Sequence, residues 1–263
     1  MAKPLTFGLV EPPRKADDEG AEPGSAFEAL ATWLRENTEL DLERKTWPTY
    51  RALGESVREG KSDLAWLPPV VYAWLAEGVS PLGSIARGEG SGYASALVVL
   101  ASSKLEALGD LKGKRAGWID PLSAAGYVVP RIEMLRQKVD PRTTFATETF
   151  YGGHREALMA LESGGCDVVA TFDGAWTLVG GLDVRVLAKF APIPSDVIAA
   201  RRNLPPSDYE RAIAALRRAA SEESVRSLVK KVFGGDKLRE GIEPGHDKLR
   251  TDFESATANG LFD

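Results

Sequence analysis

The sequence predicts an α/β protein made of two similarly built lobes, and three observations carry that prediction. Short apolar runs alternate with amphipathic stretches of helical period along most of the chain. A joint of helix end, glycine, aspartate and apolar strand occurs twice, as "EGKSDLAW" (residues 59–66) and "SGGCDVVA" (residues 163–170), with Asp63 and Asp167 104 residues apart. Finally, "DPLSAAGYVVP" (residues 120–130) gathers small residues where a strand hands over to a helix.

The elements follow in order. "LTFGLV" reads as a buried first strand closed by the polar loop "EPPRKADDEG". Ser25 stands three residues before Glu28, a capping-box spacing, and Phe27, Leu30, Trp33 and Leu34 then share one helical face. "LDLERKTW" predicts a second strand, residues 50–59 a helix stopped by Gly60, and "SDLAWL" a third strand. This β-α-β-α-β order is the mark of a parallel sheet. Residues 96–101 and 115–120 predict further strands, followed by a helix containing residues 131–138 and another over 154–162 that ends at Gly164-Gly165. "CDVVATF" and "VRVLAKF" predict two more strands, and helices are expected near residues 207–220, 222–233 and 247–258. In a two-lobe α/β protein the ligand is expected in the crevice between the lobes, at the carboxyl ends of strands.

Composition excludes several classes. With 43% hydrophobic and 27% charged residues the 263-residue chain reads as globular, and its longest apolar stretch, "LAWLPPVVYAWLA", is too short for a bilayer and is broken by Pro-Pro. A net charge of −5 without a long basic cluster argues against nucleic acid. One cysteine forbids an internal disulfide, and two histidines, His154 and His246, without metal-ligand spacing argue against a metal site or a hydrolytic triad. No cofactor is expected. "MAKPLTFGLV" lacks the features of a secretory signal. The expectation is therefore periplasmic if an upstream signal is removed, and cytoplasmic otherwise.

Residues 120–130 allow two readings. A serine and small residues after a strand offer a hydroxyl and free backbone N–H groups at the positive end of a helix, a cradle for an anion. Ser123 as a plain helix cap explains the same residues, and Pro130 delays the regular helix to its own neighbourhood. Local sequence leaves both open.

The segment "DLKGKRAGWIDPLSAAGYVVPRIEML" (residues 110–135) resembles the phosphate/phosphite/phosphonate-type solute-binding proteins of ABC transporters, where a strand leads into Asp-Pro-x-Ser-Thr-Ser-Gly and a proline-bearing helix. "YRALGESVREGKSDLAWLPPVVYAW", "GSGYASALVVLA", "GGHREALMALESGGCDVVAT" and "PIPSDVIAARRNLPP" resemble further segments of that family in the same order, so the likeness runs over residues 50–206. The resemblance implies a type II periplasmic-binding-protein fold: two α/β lobes joined by two crossover strands, near residues 92–98 and 186–193. Lobe 1 is expected over residues 1–92 plus 191–263, and lobe 2 over 93–190.

By position the family implies that Ser123, His154 and the amides of Ala124 and Ala125 hold an oxyanion, and that Tyr50 and Tyr93 wall the site. Asp196 falls where the family places a carboxylate facing an aminoalkyl group, and Asp173 is a further candidate. The expected partners are a small anionic or zwitterionic ligand and an ABC permease, with lobe closure as the mechanism and a monomer as the working state. The chain departs from the family at Ala124 and Ala125, which replace two hydroxyl donors, each worth on the order of 1.5–3 kcal/mol to a charged ligand. Arg87 and Arg155 are the arginines that could compensate, and both have plain solvent-facing readings. Trp118 and Trp176 are candidate ligand walls. The competing reading is a cytoplasmic sensor or a biosynthetic enzyme on the same fold, which would need His154 paired with Asp120, Asp173 or Asp196 for acid–base work.

Overall fold

The computed structural model describes residues 3–10, 23–86, 93–180, 182–235 and 237–263. The loop of residues 11–20, Arg87 and residue 92 of the expected first crossover lie outside them. The first strands and helices are β1 (Leu5–Val10), α1 (Pro23–Asn37), β2 (Leu42–Trp47), α2 (Tyr50–Arg58), β3 (Leu64–Leu67), α3 (Pro69–Leu75) and β4 (Val79–Ala86). There follow β5 (Tyr93–Leu100), β6 (Arg115–Trp118), α4 (Val129–Arg136), α5 (Pro141–Thr144), β7 (Thr147–Phe150), α6 (His154–Glu162), β8 (Val168–Phe172) and β9 (Val184–Ile193). The rest is β10 (Asp196–Arg201), α7 (Pro206–Ser221), α8 (Glu223–Phe233), β11 (Lys237–Glu240) and α9 (Gly245–Ala258). Helix α1 begins two residues before Ser25, so Ser25 lies in its first turn and is not the cap that its spacing to Glu28 predicts.

The chain divides into two compact units: Met1–Gly92 with Pro194–His246, and Tyr93–Ile193 with Asp247–Asp263. The first holds a sheet of order β11-β4-β10-β3-β1-β2, the second a sheet of order β7-β6-β8-β5-β9. In the first, β1 pairs in parallel with β2 and β3, and β10 joins β3 antiparallel. In the second, β6 pairs in parallel with β7 and β8, and β5 joins β8 antiparallel. The two sheets thus repeat one plan, and each unit has its own apolar core. Phe7, Phe27, Leu34, Leu64 and Phe233 anchor one; Val98, Ile119, Leu158, Cys166 and Val169 anchor the other.

The repeated glycine–aspartate joint has a mechanical reason. The Asp63 amide donates to the Thr6 carbonyl (2.9 Å), and its carboxylate accepts the Thr6 amide (3.0 Å). Asp167 makes the same two bonds with Arg115, both at 2.9 Å. Each aspartate therefore bonds the start of the neighbouring parallel strand and fixes its register. Gly60 and Gly164 take φ of +72° and +76° to end the preceding helices, a conformation that side chains disfavour.

The sequence boundaries need two corrections. Residues 247–263, expected with lobe 1, pack in the second unit. There Arg131 of α4, buried at 2% exposure, donates from its guanidinium to the Leu261 carbonyl (3.1 and 3.3 Å) and pairs with Glu148. Arg136–Asp252 and the Tyr127–Phe262 ring contact add to it. The expected boundary at 190/191 also shifts to 193/194, because β9 stays paired with β5 up to Tyr93↔Ile193.

Candidate functional site

In the second unit, the parallel strands β6, β7 and β8 end together, and most of the candidate residues sit just beyond those ends. Ser123 is buried and caps, as one of its two sequence readings has it. Its hydroxyl accepts the Gly126 amide (3.1 Å) and so caps a π turn over Ala124–Val128. The amides of Ala124 and Ala125, the first two of that turn, have no acceptor within it by position.

Pro130 explains the turn. The Val128 and Val129 amides reach back five residues, to the carbonyls of Ser123 and Ala124, and the next residue, Pro130, has no N–H to give. Two buried carbonyls, of Ala125 and Gly126, are thereby left over, and each would cost about 1–3 kcal/mol if unpaired. Both find donors elsewhere in the unit. Ser95 of β5 donates its hydroxyl to Ala125 (2.8 Å), and the Ile119 amide, at the end of β6, donates to Gly126 (3.2 Å). Ile119 lies so close that a Cβ on Gly126 would stand 2.1 Å from its Cγ1. The regular helix α4 starts at Val129 with Pro130 in its first turn, where a proline is tolerated.

His154 opens α6, after the Gly153 cap. The approach is tied to the same strand ends: the Tyr151 amide donates to Trp118 and the Gly152 amide to Ile119, both at 2.9 Å. The half-buried imidazole lies edge-on to Phe172 (4.9 Å) with Nδ1 2.7 Å from the Thr171 hydroxyl. Ile119 thus joins the Ser123 turn to the His154 loop through two backbone bonds.

The other candidates are placed as follows. Tyr93, half-buried, begins β5. Asp173 is exposed and ion-paired with Lys189 of β9. Arg155 is exposed. Tyr50 and Asp196 belong to the first unit: Tyr50 is the first residue of α2, as His154 is of α6, and Asp196 opens β10 at 4% exposure, in register with Ile85. Trp118 is no ligand wall; it is fully buried, with Nε1 donating to Glu148 (2.7 Å). Trp176 packs half-buried against the second unit's core. The sequence reading missed Ser95 and Thr171, and it took Gly126 for room beside a ligand, whereas a Cβ there would meet Ile119. Its available signals were the hydroxyls inside the apolar strands "ASALVVL" and "VVATF", and the two carbonyls that Pro130 orphans.

A cavity of ≈ 260 Å³ in this unit opens at the opposite, amino-terminal edge of β6 and β8 and contains none of the candidate residues. Its lining includes Cys166, whose thiol burial pushes up to about 11. Among the described residues no cluster of His, Cys, Asp or Glu could hold a metal ion, and no helix is long and apolar enough to cross a membrane.

The phosphonate-bound PhnD1 of Prochlorococcus marinus, in complex with methylphosphonate, superposes with a TM-score of 0.78 at 14% identity, covering 96% of this chain and 98% of that one. A binding protein component of an ABC phosphonate transporter from Pseudomonas aeruginosa reaches a TM-score of 0.83 at 18% identity, over 99% of this chain and 89% of the other. At such identities these two speak for the fold, which is that of the type II periplasmic binding proteins. The phosphate-import protein PhnD of Mycolicibacterium smegmatis is 27% identical over 163 residues, 57% of this chain and 50% of that protein. The chain spans about half the length of this curated relative. The family described as ABC transporter, phosphonate, periplasmic substrate-binding protein matches residues 19–248, most of the sequence, and the chain belongs to that family.

Proposed function

We propose that this chain binds a small phosphorus oxyanion, of the phosphonate or phosphate kind, and delivers it to an ABC permease, acting as a monomeric binding protein and not as an enzyme. The observation that carries the reading is the joining, through Ile119, of the amide-bearing Ser123 turn to the His154 loop at the carboxyl ends of parallel strands. That edge, with helix amides and an imidazole, suits an acceptor-rich ligand. Family membership supports the same ligand class.

Within this reading Ser123 serves mainly to cap the turn, and the amides of Ala124 and Ala125 with His154 contact the ligand. With Ala124 and Ala125 at positions where the resemblance implies hydroxyl donors, neutral backbone donors take a larger share of the recognition. Tyr93 contributes a wall from the second unit. Tyr50 and Asp196 are the contributors proposed from the first unit, Asp196 toward an amino group on the ligand. Asp173, neutralised by Lys189, has a minor part.

Thermal denaturation tests this with methylphosphonate, 2-aminoethylphosphonate, phosphate, phosphite, sulfate and small carboxylates. A ligand at about 100 times its Kd adds roughly 2.7 kcal/mol, a rise of roughly 5–10 °C for a chain of this size. A rise with a phosphorus oxyanion, lost in His154→Ala, is the expected result. Silence across the panel from a folded protein refutes the proposal. Asp196→Asn should weaken 2-aminoethylphosphonate and spare methylphosphonate.

A further inference from the structure

The hydroxyl of Thr171 sits on β8 with no solvent exposure, and among the described residues its one partner is His154 Nδ1, at 2.7 Å. A threonine hydroxyl has a single proton to donate. Were Nδ1 the donor, that proton would point into a packed sheet with no acceptor, and an unmet buried donor costs about 1–3 kcal/mol. In the alternative Thr171 donates, Nδ1 accepts, the Thr171 proton is met, and the neutral ring carries its own proton on Nε2. Which nitrogen of an imidazole is protonated is set by the bond the other one makes.

We propose that Thr171 is a positioning and specificity-determining residue of the binding site, holding His154 as an Nε2–H donor. This rests on the phosphorus-oxyanion reading for its consequence, though not for the tautomer itself. An Nε2–H group can bond only to an acceptor, such as an oxyanion oxygen. An ammonium or hydroxyl donor of a ligand would need a lone pair on Nε2, which this tautomer withholds. The choice of anion over amine at this corner is therefore made one residue behind the contact, by a side chain that touches no ligand. Ser95 plays a parallel backing part on the neighbouring strand, by holding the Ala125 carbonyl.

The chain has two histidines, so the imidazole nitrogens can be followed individually by nitrogen-15 NMR of the ligand-free protein, with His154→Gln to assign the signals. At about pH 8.5, above the usual imidazole range, His154 should show a protonated Nε2 and an acceptor-type Nδ1. Thr171→Val should shift the ring toward a mixture of tautomers and weaken methylphosphonate about tenfold, the equivalent of one net hydrogen bond. Thr171→Ser should keep both the wild-type spectrum and the wild-type affinity. A wild-type ring protonated at Nδ1, or a Thr171→Val ring indistinguishable from wild type, overturns the inference. Should Thr171→Val fail to fold, the wild-type and Thr171→Ser spectra decide. Should methylphosphonate fail to bind the wild type, the functional reading falls and the spectra still decide the role of Thr171.

Discussion

At the scale of single residues, the Ser123 turn shows how one proline organises a site. Pro130 withholds an amide, a π turn forms, and the carbonyls it leaves are met by Ser95 and Ile119. Gly126 is the residue with no latitude, because its backbone bonds both Ser123 and Ile119 while any Cβ would collide with Ile119. Gly126→Ala should therefore cost about 3 kcal/mol, read as a lowered urea midpoint, and should abolish anion binding along with it. A loss under about 1 kcal/mol would mean that the turn moves freely and is not braced by β6. The sequence displayed the small residues and the proline, so the cap and the late start of α4 were legible, while the π turn between them was not. Its bracing was not, because Ser95 lies about thirty residues upstream, in a strand whose register only folding defines.

At the scale of elements, the recurrent glycine–aspartate joint proves to be a strand clamp. In the second unit Asp167 accepts the Arg115 amide and also its guanidinium, with the closest contact at 2.7 Å. In the first, Asp63 accepts the Thr6 amide and takes its cation from Arg201 on β10 (2.9 Å). The 104-residue spacing extends beyond the aspartates, to Tyr50 and His154 at the starts of α2 and α6. The repeat was legible as a pattern, whereas the partners of its two aspartates were not: one arginine is 52 residues away, the other 138. Bonds from the Arg115 side chain hold the Asp167 carboxyl below its usual 3.8. A carboxyl lowered by folding adds stability above its unfolded value and loses that contribution as pH falls through the folded one. Asp167→Asn should thus be less stable than wild type by about 1 kcal/mol near neutrality, a modest figure because both side chains are partly solvated. The gap should stay constant down to about pH 5 and close in stronger acid. A gap that persists unchanged into strong acid would assign the effect to the neutral amide bonds alone.

At the scale of the whole molecule, the chain passes between its two units at 92/93, 193/194 and 246/247. The resemblance led to crossover strands near the first two, with the second passage expected at 190/191 and not at 193/194. The third was hidden: nothing local in "GHDKLRTDFESATANGLFD" tells which core its apolar face will cover, and the deciding partner is a buried arginine more than a hundred residues upstream. Arg131 holds the Leu261 carbonyl, pairs with Glu148, and lies over the rings of Trp118 and Tyr127 at 5.9 and 5.0 Å. A cation so enclosed stabilises only while its partners are in place, and removing one side of a buried pair typically costs about 3–5 kcal/mol. Arg131→Met keeps much of the volume and deletes every one of these polar contacts. Because each unit has its own core, the loss should stay within the second one. Hydrogen exchange read by mass spectrometry should show residues 247–263 losing protection together with β6 and α4, while β1, β2 and β3 keep theirs. Protection lost first from the strands of the first unit, with residues 247–263 unchanged, would mean that Arg131 is not what fixes the tail in place.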